Sequence, residues 1–305
     1  MNGLVDELIV FDIPVVLAAL LALCACGTLG NWLVLRKESM TGDAIAHAVL
    51  PGLVGGFLVV GRHSVPAMFV GASVAGVCAI TVASWTRRRA RLEPAAALGI
   101  VFTAFFALGV TLLETFGARQ VDLDPDCVLF GSLERMFLVP PAEGPLVLGA
   151  PRELWTLLAA AAVSVGASVL LLKELRVHAF DPGFAQVSGA APRWIGTAML
   201  CVTTVAIIAS FEAVGSILVI ALLACPALIA APHCRSLRGR FALSLGAGAL
   251  LTVAGYALAA HAPSILGTRT ALSAAGMIAM LLALGVPASH LLARLLRRGV
   301  SRRPA

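Results

Sequence analysis

The sequence predicts an all-α polytopic membrane protein with about nine transmembrane helices. Of its 305 residues, 60% are hydrophobic and only 12% are charged, and the mean hydropathy is +0.98. Soluble domains carry roughly 25% charged residues, about twice this fraction. A chain this apolar cannot build a water-facing surface, so we expect it to be stable in the lipid bilayer. This composition excludes a cytosolic enzyme, a secreted disulfide scaffold and a disordered protein.

Nine apolar segments are long enough to cross a membrane, which takes about 20 residues of helix. They are residues 13–35, 40–61, 65–85, 94–116, 154–172, 194–210, 212–232, 241–262 and 270–293. The segments beside Glu212 come from one apolar stretch, which we divide there because 39 residues are too long for one span. We treat residues 1–305 as a single transmembrane domain. It has an outer loop at 117–153 and a cytoplasmic loop at 173–193.

The distribution of charge predicts an outside N-terminus and an inside C-terminus, because Lys and Arg are retained on the cytoplasmic side. This orientation puts 17 of the 22 basic residues inside: Arg36, Lys37, Arg87, Arg88, Arg89, Arg91, Lys173, Arg176, Arg193, Arg235, Arg238, Arg240, Arg294, Arg297, Arg298, Arg302 and Arg303. The outer loop instead gathers six acidic residues: Asp122, Asp124, Asp126, Glu134, Glu143 and Glu153. The net charge of +6 is therefore a topology signal, and we expect no nucleic-acid partner.

Two ionisable residues lie at the start of the second predicted span. Asp43 and His47 are four residues apart, so on a helix they project from one face about one turn apart. A carboxylate and an imidazole together suit Zn, Mn or Fe(II) better than Ca or Mg. Pro51 lacks an N–H and leaves the carbonyl oxygen of His47 available to a ligand or to water. Two ligands do not hold a metal alone, so further ligands must come from elsewhere in the bundle or from a partner chain.

A structural interpretation of the same residues is equally open at this point. Asp43 would then cap the N-terminus of the helix, and His47 would hydrogen-bond a neighbouring helix. Glu212, the other acidic residue predicted inside the membrane, also has two interpretations. It is either a ligand for an incoming cation at the outer end of two spans, or an acid that reaches from a helix start to the interface.

The cytoplasmic loop contains the pattern of a short surface helix. Asp181 and Pro182 form a helix start, with Asp181 as the cap and Pro182 as the first helical residue, and Gly189 is a natural stop. Apolar residues at spacings of four and three then share one face: Phe180, Phe184 and Val187. This predicts a docking element for a cytoplasmic protein, or alternatively a helix that lies on lipid headgroups.

Enzymatic motifs are missing from the sequence. It contains no Gly-x-x-x-x-Gly-Lys-Ser/Thr loop, so the nucleotide for any ATP-driven transport would be bound by another polypeptide. It also contains no His-Glu-x-x-His or Gly-x-Ser-x-Gly element, which an intramembrane hydrolase would use. We therefore expect a transport subunit and not an enzyme.

These segments together resemble the membrane permeases of ABC importers for manganese, zinc or iron, the ABC-3 metal permease family. The likeness runs from residue 13 to 293, and its most specific part is residues 42–52, GDAIAHAVLPG, which is similar to the family's GDA-x-SHAVLPG. Further matching segments are Phe211–Val219, Ala221–Leu223, Pro226–Ala227, Leu172–Leu175, Phe180–Pro182 and Ala185, with a weaker match at Leu129–Leu133. The sequence departs from the family at Ala46, where the family has Ser, and at Ile265–Leu266, where it has Gly-Pro.

The resemblance implies a fold like that of the vitamin B12 and siderophore importers, in the bacterial cytoplasmic membrane. It implies a second permease subunit, in a homo- or heterodimer, together with a cytoplasmic ABC ATPase dimer and an extracytoplasmic metal-binding protein. It assigns Asp43 and His47 to the path of a transported Mn, Zn or Fe ion, with no permanently bound cofactor, and Glu212 is a third candidate ligand. The residues it assigns to ATPase coupling are Phe180, Asp181, Pro182, Phe184, Ala185 and Gly189. A permease for a metal chelate or siderophore, and a secondary cation carrier without an ATPase, are the alternatives.

Overall fold

The computed structural model describes residues 12–61, 64–117, 152–180, 183, 194–266 and 272–300. Within these ranges the regular structure is helical and contains no strand. The helices are α1 (Ile13–Leu35), α2 (Thr41–Ala48), α3 (Leu50–Val60), α4 (Val65–Ala90), α5 (Pro94–Leu112), α6 (Arg152–Leu170), α7 (Leu172–Phe180), α8 (Ile195–Val214), α9 (Ser216–Ala230), α10 (Leu237–Leu266) and α11 (Ala274–Val300). A π-helical turn, Leu113–Gly117, extends α5. The predicted all-α fold is confirmed.

Eight helical segments of the described chain are long and apolar enough to cross a bilayer, and α2 with α3 forms one of them. The remaining predicted span, residues 212–232, corresponds to α9, an apolar helix of 15 residues. A helix of that length extends about 22 Å, less than the roughly 30 Å of a bilayer's hydrocarbon core. The chain is therefore a multi-pass membrane protein in which one helix is shorter than the membrane is thick.

The long apolar stretch at residues 194–232 breaks at Gly215, which differs from the predicted break at Glu212. Gly215 has φ +79° and ψ 163°, a backbone conformation open essentially only to glycine. It ends α8 and immediately precedes α9. Glu212 consequently lies in the last turn of α8 and not at the start of a span.

The second span is interrupted at Val49, between α2 and α3. Pro51 explains the interruption, because it has no N–H to donate to the carbonyl of His47 four residues earlier. The N–H groups of Gly52 and Leu53 instead both donate to the carbonyl of Val49, at 3.0 and 3.1 Å. The carbonyl of His47 thus receives no hydrogen bond from residue 51, as the sequence predicts.

The chain after the fifth predicted span continues into a separate short helix, α7, before the predicted docking segment. Phe180 is the last residue of α7, and it is 65% exposed. The other predicted coupling residues lie outside the described part of the chain: Asp181, Pro182, Phe184, Ala185 and Gly189. Most of the predicted outer loop at 117–153 also lies outside it.

Helix α1 lies at the centre of the bundle and packs against α6, α8, α9 and α10. Its contact with α9 is the closest, because a Cβ atom placed on Gly30 would lie 1.7 Å from the carbonyl oxygen of Leu223. Its contact with α10 is polar, because the amide of Asn31 donates to the hydroxyl of Ser244 at 2.7 Å. The same amide also donates to the carbonyl of Gly27 within α1, at 2.9 Å. Backbone proximity and a shared polar contact therefore hold α1 in place.

The second span is held against α4 by a glycine contact. A Cβ atom on Gly52 in α3 would lie 2.2 Å from the carbonyl oxygen of Gly71 in α4, and one on Gly71 would lie 2.2 Å from the carbonyl of Gly52. Helix α2 packs against α5 on the other side. These contacts fix the position of the helix that carries Asp43 and His47.

Replacing Gly30 with Ala should lower the stability of the chain, because the added methyl group overlaps the backbone of α9. We expect a loss of about 1–3 kcal/mol, the usual cost of overpacking, measured as a lower thermal unfolding midpoint in detergent. The matched control is Gly166→Ala in α6, where the added Cβ meets no atom within 4 Å. Equal midpoints for the two variants would contradict this role for Gly30.

Candidate metal site

Helix α2 buries one face and presents Asp43 and His47 on the other. Its buried residues are Thr41, Gly42, Ala44, Ile45 and Ala48. The side chains of Asp43 and His47 are 50% and 48% exposed. Asp43 lies in the first turn and His47 in the last, where a negative and a positive charge are each favourable to the helix dipole. The pair is thus a local feature of α2, on a surface of this chain.

The separation of the two side chains suits a shared cation. His47 Nε2 lies 3.7 Å from Asp43 Oδ1, which is too long for a hydrogen bond. A transition metal about 2.1 Å from each atom would subtend an angle of roughly 120° between them. The capping alternative is not supported, because Met40 and not Asp43 occupies the cap position of α2.

Two phenylalanine rings of α5 pack around the imidazole of His47. The ring centroid of Phe102 lies 5.8 Å away and that of Phe106 lies 5.5 Å away, with Phe106 in an edge-on arrangement. These contacts restrict the rotation of the imidazole and exclude water from part of its surface. Neither ring is among the residues predicted from the sequence, although their spacing of four residues on one apolar helix indicates a shared face.

The described part of the chain does not complete a metal site. It contains no group of three or more His, Cys, Asp or Glu side chains arranged to hold a metal ion. Glu212 therefore does not join Asp43 and His47 in one site. A metal held by Asp43 and His47 needs additional ligands, such as water, a main-chain carbonyl or a group from another subunit.

Glu212 forms an ion pair with Arg152. Arg152 is the first residue of α6, and Glu212 lies in the last turn of α8, so the pair joins the ends of two packed helices. The carboxylate is 23% exposed and the guanidinium 49%. This contact supports a structural role for Glu212 at the membrane interface, and its role as a metal ligand stays a hypothesis.

Exchanging the two charges tests the role of Glu212. Glu212→Arg alone and Arg152→Glu alone should each reduce the amount of folded protein, because each places two like charges side by side at a partly buried position. The double variant should restore both folding, measured by size-exclusion profile in detergent, and metal uptake by cells. A double variant that folds normally yet takes up no metal would identify Glu212 as a metal ligand.

Comparison with known proteins places these features in one family. Residues 9–286 match the ABC 3 transport family. The chain is 35% identical to the manganese transport system membrane protein MntD of Bacillus subtilis, over 81% of this chain and 82% of MntD. It is 33% identical to the chelated iron transport system membrane protein YfeD of Yersinia pestis, over 72% of this chain and 67% of YfeD. It is 35% identical to the zinc transport system membrane protein TroD of Treponema pallidum, over 70% of this chain but only 57% of TroD.

The fold is similar to that of a solved structure, PsaBC from Streptococcus pneumoniae in complex with Fab. The TM-score is 0.71 at 24% sequence identity, with 94% of each chain covered. The structural match extends over almost the whole chain, and the family match covers all of α1 to α10 and part of α11. The chain belongs to the ABC 3 transport family.

Proposed function

We propose that this chain is the membrane permease subunit of an ATP-driven importer that carries a divalent transition metal ion, Mn, Zn or Fe, across the bacterial cytoplasmic membrane. The observation that carries the proposal is the Asp43–His47 pair, whose ligand atoms are 3.7 Å apart on an accessible face of a membrane helix. The relatives named for manganese, zinc and chelated iron transport support the cargo class. The chain is the transport component, and a partner hydrolyses ATP.

The exposure of the pair supports a path between two permease subunits. Asp43 and His47 are each about half exposed in the single chain, and ionisable groups that face lipid are costly. A second permease subunit, identical or related, would cover this surface and convert it into a polar path. Water and main-chain carbonyl oxygen would fill the coordination positions that the two side chains leave open.

The chemistry of the pair suits transport better than storage. An imidazole and a carboxylate bind borderline transition metals in preference to Ca or Mg. A site with only two strong protein ligands binds weakly enough to release its ion, which conduction requires. The carbonyl oxygen of His47, which Pro51 cannot engage, is a possible third ligand. An extracytoplasmic metal-binding protein would deliver the ion to this path.

A metal chelate is the second candidate cargo, since one relative is named for chelated iron transport. A chelate arrives with its coordination sites filled and needs no ionisable ligand in the path. The accessible Asp43 and His47 side chains favour the bare ion. An ATPase-independent secondary carrier is disfavoured by the family match over residues 9–286.

Removing either ligand should abolish metal uptake without disturbing assembly. Asp43→Asn and His47→Gln keep the size of each side chain, and both should lower ATP-dependent uptake of Mn or Zn into proteoliposomes by about tenfold or more. The amount of copurified ATPase should be unchanged. Glu153→Gln, at a half-buried position at the start of α6, is the matched control and should transport normally.

Two results would contradict the proposal. Full uptake of the ion by both variants would show that transport does not depend on Asp43 or His47. A purified, transport-active wild-type complex without any ATPase subunit would favour a secondary carrier.

We further propose that the ATPase docks on the segment after α7, at Phe180, Asp181, Pro182, Phe184, Ala185 and Gly189. The sequence pattern of residues 180–189 and the exposure of Phe180 support this surface.

Phe184→Asp should reduce copurification of the ATPase, because it places a charge on the predicted apolar face, while leaving insertion into the membrane fraction normal. Gln186→Asp adds the same charge off that face and is the control. Equal ATPase recovery from the two variants would contradict docking at this face.

A further inference from the structure

Glu38 is a buried acidic residue in the turn between α1 and α2. It is only 7% exposed, and two guanidinium groups share its carboxylate. Arg36 Nη2 and Arg87 Nη1, the latter from the last turn of α4, both donate to Oε1 at 3.1 Å, and Arg36 Nη2 lies 3.0 Å from Oε2. A buried carboxylate held by two charged hydrogen bonds has a well-defined position. Glu38 therefore joins the turn between α1 and α2 to α4.

The backbone of Glu38 is connected directly to the helix that carries the metal ligands. Its N–H donates to the carbonyl of Leu33 in α1 at 2.8 Å, and its carbonyl accepts from the N–H of Thr41 at 3.1 Å. Thr41 is the first residue of α2 and lies two residues before Asp43. Because these bonds fix the direction of the turn, a displacement of Glu38 is passed on to the first turn of α2.

Arg36 extends this cluster to α7 and α8. Its Nη1 donates to the carbonyl of Gly196 at 3.4 Å. His178, in the last turn of α7, packs against the same residue so closely that a Cβ atom on Gly196 would lie 2.7 Å from His178 Nε2. Burial and the nearby Arg36 guanidinium lower the pKa of His178. Helix α7 thus contacts the cluster two residues before Phe180.

We propose that Glu38 is a positioning residue that transmits movement of α7 to α2, through Arg36, and so couples events at the ATPase side to Asp43 and His47. The proposal rests on the proposed function, since it concerns how ATP hydrolysis on a partner would reach the metal ligands. The route is continuous: α7 contacts α8 at Gly196, Gly196 binds Arg36, Arg36 binds Glu38, and Glu38 is bonded to the first residue of α2. Rigid contacts of this kind can carry coupling between two sites.

The test measures metal uptake and ATP hydrolysis in the same proteoliposomes containing the complete complex. Glu38→Gln keeps the shape of the side chain and removes its charge. We expect the metal ions transported per ATP to fall about tenfold, within the range typical of coupling between sites, while ATP hydrolysis and ATPase binding persist. Arg88→Gln is the control, because Arg88 neighbours Arg87 but is exposed and contacts Thr197 rather than Glu38. The number of metal ions transported per ATP by this variant should equal that of the wild type.

A second variant alters the cluster at Gly196, where His178 of α7 and Arg36 meet. Gly196→Ala changes no charge, but its methyl group displaces His178 and Arg36, and it should lower the same ratio. If the complex with Glu38→Gln does not assemble, the ratio measured for Gly196→Ala tests the proposal.

A wild-type ratio in the assembled variants would overturn the proposal. A proportional loss of hydrolysis and uptake would also overturn it, because a purely structural role predicts that result. Failure of the proposed function is distinguishable, since the wild-type complex would then transport no metal.

Discussion

Hydrocarbon offers no hydrogen-bonding partner to a polar group, and this constraint determines where the chain places its few polar side chains. Hydroxyl groups inside the helices donate back to the carbonyl four residues earlier, as Thr203, Thr204 and Ser210 do at 2.8 Å in α8. The amide nitrogen of Asn31 in α1 donates to the hydroxyl of Ser244 in α10. Against this pattern the half-exposed Asp43 and His47 are exceptional. They lie on α2, which is otherwise lined with small and apolar residues, and an exception of this kind is expected at the route of a cation.

The same constraint explains why different kinds of contact hold the middle and the ends of the bundle together. In the middle, glycine lets backbones approach, as between Gly30 and Leu223 or between Gly52 and Gly71. At the helix ends, ion pairs join different helices, with Arg152–Glu212 at one end and the Arg36–Glu38–Arg87 cluster at the other. Asp43 and His47 lie on α2, a helix that begins three residues after Glu38. Its position therefore depends on packing through α3 and α5 and on an ionic contact at its start.

The sequence was sufficient for the fold class and for the Asp43–His47 pair, because both depend on local patterns. Apolar length predicts the spans, and a spacing of four residues places two side chains on one helix face. The sequence predicts the break between the two spans at Glu212, because a charge there indicates the end of a span. The structure has this break at Gly215 instead, where the backbone has a positive φ. The approach of Phe102 and Phe106 to His47, and the burial of Glu38, depend on contacts between helices far apart in sequence. No local pattern around Glu38 distinguishes it from an exposed loop acid.

The central claim is that Asp43 and His47 bind the transported ion directly. X-ray absorption spectroscopy of Mn or Zn bound to the purified permease measures this, since it reports the atoms in the first coordination shell. The account predicts imidazole nitrogen together with carboxylate oxygen at about 2.0–2.2 Å, and the loss of the imidazole signal in His47→Gln. A shell of oxygen atoms alone in the wild-type protein, unchanged in His47→Gln, would contradict it.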